Sequence, residues 1–194
     1  MRYAATIVNV RFPKSRLSLG VGLGQSRWAV YGQSRSFDSP TEITDNRRVE
    51  AGSRDTKTPM PNNLERAAYW VTFILEHCPF PNRDALAAQF ANAQIVRLCE
   101  CGCNSFSLSL ATPDEVPPIA IASSGQPYRM VFEADFHDRS ELEVGGSIEI
   151  LLFADESGHL ADVEIDYCGN GIPIPENLDL EFPPYNVFVS DSLT

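Results

Sequence analysis

The sequence predicts an α+β domain: two N-terminal helices packed on a mostly antiparallel sheet of four or five strands. Three observations carry this expectation. Apolar residues recur at helical spacing from Leu64 to Cys78, the period changes from 3.6 to 2 after about residue 92, and the strands that follow are joined by short links. Consecutive strands with short links pair antiparallel, and helices followed by strands indicate a helical layer on one sheet face.

The first helix is expected to begin at Asn62, because Glu65 follows at the capping-box spacing that satisfies orphan backbone N–H groups. Leu64, Ala67, Ala68, Val71, Ile74, Leu75 and Cys78 form its apolar face, and Pro79 and Pro81 end it. Asn82 caps a shorter helix to about Ala91, with Leu86 and Phe90 turned inward. Strands are expected over Gln94–Glu100, Ser105–Leu110, Tyr128–His137, Ser147–Ala154 and Leu160–Tyr167. Asp155, Glu156, Ser157 and Gly158 link the last two, the glycine supplying a positive dihedral. Val71, Ile74, Leu75, Leu86, Phe90, Ile95, Phe132, Ile150, Leu152, Val163 and Ile165 are the expected core. The segment 177–194, with Pro183 and Pro184, is expected to run extended over the surface without adding a central strand.

Charge divides the chain. The formal total is −11, but residues through Thr58 sum to +5 and those after it to −16, and both lysines, Lys14 and Lys57, lie in the first part. Residues 1–59 hold few core-forming side chains, so they are expected to be a disordered or non-native extension to a single domain at 60–176. Three readings of that extension stay open: a native tail, translation beginning at Met60, or a targeting peptide. The first 37 residues hold six bases and no acid, although Pro13 interrupts the helix such a peptide needs. No apolar run approaches the roughly 20 residues of a membrane span.

The run LAAQFANAQIVRLCECGCNSFSL, residues 86–108, followed by IEILLFADESGHLADVEI and GIPIPE, resembles a group of small bacterial proteins of unknown function. These share a helix, a Cys-Gly-Cys turn and a late hairpin of the form G-x-L-x-x-x-E-I. The resemblance covers residues 60–176 and implies a domain boundary but no catalytic residues.

Three features bear on chemistry. Cys99, Cys101 and Cys103 form C-E-C-G-C, in which a turn at Gly102 brings thiolates toward a soft metal such as zinc or copper(I). Cys78, His77 or Cys168 would be a fourth ligand. Against this, zinc sites more often use C-x-x-C pairs, and cysteine also packs as a small apolar residue. The five cysteines, an odd number, fit free thiols in a reducing, cytoplasmic setting. Asp162, Glu164 and Asp166 alternate along the last hairpin strand, either as a cation site or as its solvated face. Tyr69, Trp70, Phe73 and His77 make a second, aromatic stripe on the first helix, either wedged in the interior or exposed to a partner.

No phosphate-binding loop, dinucleotide fingerprint or catalytic triad is present, and Ser157 and His159 are explained as hairpin residues. The sequence therefore favours a non-catalytic interaction module. Its acidic surface, with Tyr69, Trp70, Phe73, Asp162, Glu164 and Asp166, would meet a basic protein partner and repel nucleic acid and anionic membrane. The alternative is a zinc protein using the Cys99–Cys103 cluster.

Overall fold

A computed structural model describes residues 62–140, 145–169 and 173–194. The extension expected over residues 1–59 lies outside the described residues. Helix α1 spans Leu64–His77 and helix α2 Arg83–Asn92. The cap of α1 is Asn63 and not Asn62, since the Asn63 side chain accepts from the Arg66 backbone N–H at 2.9 Å. Asn62 serves a different purpose: its amide donates to the Ser105 carbonyl at 2.8 Å and ties the helix start to the residue that precedes β2. Asn82 caps α2 as expected, accepting from the Ala85 N–H.

The strands are β1 (Ala93–Leu98), β2 (Phe106–Leu110), β3 (Arg129–Asp138), β4 (Gly146–Ala154), β5 (Leu160–Tyr167) and β6 (Asn186–Val189). They form one antiparallel sheet in the order β1-β2-β5-β4-β3-β6. The sheet has six strands where four or five are expected. The sixth comes from the segment read as a tail: β6 pairs with β3 from Phe132↔Val189 to Asp135↔Asn186. It is an edge strand, so Pro183 and Pro184 precede the ladder without interrupting it. The Ser190 N–H continues onto the Val131 carbonyl, and the Thr194 N–H onto that of Ile119.

The helices cover one sheet face. Phe73 of α1 meets Phe136 of β3 edge to face at 5.3 Å, and Phe80 meets Phe132 at 5.3 Å. Phe106, Ile148, Ile150, Leu152, Val163 and Ile165 complete the buried layer. Ten of the eleven expected core residues are buried, while Leu75 is half-buried at its margin. A bulge between Met130 and Phe132 interrupts the alternation of β3, so that Val131 and Phe132 are both buried.

The aromatic stripe of α1 divides. Trp70 is 2% and Phe73 6% exposed, so neither belongs to a partner surface, while Tyr69, at 52%, and His77 are exposed. The cover is supplied by residues distant in sequence, because Phe182 and Phe136 both pack on Phe73. Gly158 closes the β4–β5 hairpin with φ +84, and a Cβ there would lie 1.9 Å from the Ala120 carbonyl oxygen. That glycine meets a dihedral and a steric requirement together.

Candidate metal centre

The β1–β2 connection is a tight turn closed by the Cys99 N–H on the Ser105 carbonyl at 2.9 Å. Gly102 at φ +94 and Asn104 at φ +63 occupy left-handed backbone, which glycine and asparagine tolerate best. This path does not leave three sulfurs along a straight strand face. It folds them onto each other, with Cys99 and Cys101 Sγ 2.7 Å apart and Cys101 and Cys103 Sγ 2.8 Å apart. All three sulfurs lie within 4.8 Å of one another, and no other cluster among the described residues meets that geometry.

Neighbouring strands fix the turn. Cys103 Sγ donates to Ser105 Oγ at 3.1 Å, and Ser105 Oγ accepts from the Ile165 N–H at 2.9 Å, so the third cysteine is anchored to β5 through one hydroxyl. Asn104, beside it, is fully buried, and neither amide atom has a hydrogen-bond partner. Such an orphaned amide costs stability on the order of 1–3 kcal/mol, and its left-handed backbone places it there. Cys101 is exposed, with Cys99 and Cys103 half-buried on either side. Burial and thiol hydrogen bonding push Cys99 up to about 12. At Cys101 burial also acts upward, but hydrogen bonding with Cys103 and Cys99 outweighs it and holds this thiol below its ordinary range.

The sulfurs open onto a cleft of about 590 Å³ that is also lined by Arg97, Glu100, Asp162, Glu164 and Asp166. Pairing of β2 with β5, Ser107 opposite Asp162, thus brings together the cysteine cluster and the acidic row that the sequence presents as separate features. Within the cleft Arg97 Nε donates to Ser107 Oγ at 3.1 Å, and Ser107 Oγ donates to Asp162 Oδ1 at 2.5 Å. Tyr128 donates its phenolic hydrogen to Glu164 Oε1 at 3.0 Å.

None of the three expected fourth ligands lines this cleft. Cys78 is buried in the core at the end of α1, which pushes its thiol up to about 12. His77 packs at a tilt on Phe182, ring centroids 4.5 Å apart, and Cys168 lies beyond β5 with its N–H on the Ser147 carbonyl. The further metal-ligating side chains lining the cleft are carboxylates.

The acidic row has a wider neighbourhood than the sequence indicates. Asp166 faces Glu149 on β4, and Glu149 faces Asp135 on β3, so carboxylates succeed one another across three strands on the face away from the helices. Burial followed by the charges of Asp135, Asp166 and Glu133 raises Glu149, and burial followed by Asp135 raises Glu133. Asp135 itself is 5% exposed, accepting from the Asn186 amide at 2.7 Å through Oδ2. Glu133, Asp135 and Glu149 escape sequence reading because only the strand register reveals that they meet. Among the described residues no helix is long and apolar enough to cross a membrane. Comparison with protein-family models, with curated proteins and with solved structures finds no match for this chain.

Proposed function

We propose that this chain is a thiolate metal-binding protein, with zinc held by Cys99, Cys101 and Cys103. The observation supporting this is the convergence of three sulfurs within 4.8 Å on a turn that β5 anchors. Zinc takes sulfur at about 2.3 Å and tetrahedral geometry, which sets sulfurs roughly 3.8 Å apart, so the present contacts open by about 1 Å to admit it. No carboxylate oxygen lies within 4.8 Å of all three sulfurs, so a fourth donor from the cleft, Glu100 or Asp166, has to swing in, or water takes that position. Thiols release their protons to solvent when the metal binds, so binding weakens as pH falls.

Elemental analysis of the full chain purified under reducing conditions tests the reading. About one zinc per chain, lost on Cys99→Ser, Cys101→Ser and Cys103→Ser but retained in Cys78→Ser and Cys168→Ser, is the expected result. Cobalt(II) substitution should give sulfur-to-metal charge-transfer bands. Absence of zinc uptake by the reduced chain overturns it.

A second reading, an interaction module for a basic protein partner, is favoured by the carboxylates of β3, β4 and β5 gathered on one sheet face. A polylysine probe should then bind with strong salt dependence and lose affinity in Glu133→Lys with Glu164→Lys; salt-insensitive binding, or none, counts against it.

A further inference from the structure

Cys101 touches a thiol on each side, but its two neighbours are reached across unlike residues. Glu100 separates it from Cys99, and Gly102, at φ +94, separates it from Cys103. Closing a ring through two cysteines spaced by one residue bends the backbone sharply, and a glycine absorbs that bend with no Cβ to clash. Cys103 also has its thiol hydrogen directed at Ser105 Oγ, which leaves sulfur lone pairs turned toward Cys101 2.8 Å away. Cys101 is the exposed sulfur of the trio, the one a small oxidant in the cleft reaches first.

We propose that Cys101 and Cys103 form a dithiol–disulfide couple, oxidised by hydroperoxides, and that its closure releases the metal. The metal-release half rests on the zinc reading above; the disulfide half stands on the geometry alone. In the first step the Cys101 sulfur attacks the terminal peroxide oxygen. The O–O bond breaks, the departing alkoxide takes a proton to leave as an alcohol, or as water from hydrogen peroxide, and Cys101 becomes a sulfenic acid. In the second, the Cys103 sulfur attacks the Cys101 sulfur, the S–O bond breaks, and the departing hydroxide leaves as water with the proton of the Cys103 thiol or, where Cys103 was a zinc thiolate, with one from solvent. Two thiols and one peroxide thus give one disulfide, with both electrons passing from sulfur to the O–O bond. Two of the three sulfur ligands are consumed, and Cys99 alone does not hold zinc.

The experiment treats the full, reduced, zinc-loaded chain with one equivalent of hydrogen peroxide. It follows free thiols, intact mass, peptide mapping and zinc release to a chromophoric chelator, with circular dichroism confirming that each variant is folded. The expected result is loss of two thiols and about 2 Da per chain, a linked Cys101–Cys103 peptide and zinc release in step. Cys99→Ser should still lose about 2 Da, whereas Cys103→Ala should stop at the sulfenic acid, about 16 Da heavier. Disulfide formation that survives Cys103→Ala but fails in Cys99→Ser overturns the assignment of the pair. A chain that keeps all its thiols overturns the couple while leaving the zinc reading intact. A chain that never binds zinc yet forms the Cys101–Cys103 bond overturns only the release of metal, together with the zinc reading.

Discussion

The Tyr167 phenol donates a 2.7 Å hydrogen bond to Asp138 Oδ2, joining the end of β5 to the end of β3 beneath the surface. Asp138 is buried and fully bonded: Ser140 donates through its N–H and hydroxyl, and Asp179 through its N–H. Burial alone would raise this carboxyl, but the bonds from Ser140, Tyr167 and Asp179 outweigh it and hold it below the usual aspartate range. A carboxylate depressed on folding contributes stability above its unfolded pKa and loses it as pH falls through the folded one.

Tyr167→Phe should therefore lower stability by about 1–2 kcal/mol in urea unfolding at pH 7. Asp138→Ala, which strands several donors, should cost about 3 kcal/mol or more. The difference between wild type and Asp138→Ala should shrink as pH drops below the ordinary carboxylate range. A difference that stays constant from pH 7 into that range would show that the charge of Asp138 contributes nothing.

Glu149 sits between Asp135 and Asp166, so at neutral pH it carries a like-charge penalty on both sides. Its raised pKa means that the penalty is complete above the folded pKa and gone below the unfolded one. Glu149→Gln should stabilise the domain by about 0.2–1 kcal/mol at pH 7, with the gain vanishing under acid conditions. Thermal melts across pH read both the sign and its disappearance.

Trp70 and Tyr69 are neighbours with opposite fates, and truncation separates them. Trp70→Ala should cost about 3–5 kcal/mol because the site cannot close over the lost ring. Tyr69→Ala should stay within about 1 kcal/mol. Equal losses would mean that Tyr69 is covered as well.

Gly158→Ala combines left-handed backbone with a clash against the Ala120 carbonyl. A loss of about 2–4 kcal/mol is expected, well beyond the usual glycine-to-alanine effect. Near-neutral behaviour in denaturant would show that the 118–121 segment yields easily.

Sequence reading succeeded where the physics is local. The 3.6-residue period of α1 and the alternation of β4 and β5 specify their own faces, and Gly158 declares its turn. It failed where a second, distant element decides. Nothing near Trp70 in the chain says that Phe73 will meet Phe136 and Phe182, so the sequence leaves the stripe open between interior and exposed, and the structure divides it. The four residues of β6 follow two prolines and are too short to show a period. At the candidate site the three cysteines were legible from spacing, but the carboxylates beside them depend on β2 lying against β5, a pairing that skips two intervening strands. His77, Cys78 and Cys168 had suitable chemistry and the wrong place.

That skipped pairing has a consequence for how the molecule opens. Among the described residues two ladder pairs, Phe106↔Val163 and Ser107↔Asp162, join the β1–β2 hairpin to β5, whereas β3, β4 and β5 share long ladders. The hairpin is therefore expected to open along this short seam before β3, β4 and β5 separate, with the Ser105 Oγ and Ile165 N–H bond as one of its stitches. Any ligand gripping the tip of that hairpin while touching β5 acts as a clasp across the seam. Amide hydrogens of β1 and β2 would then report occupancy through slowed exchange, while those of β3 and β4, which the clasp does not span, would keep their rates.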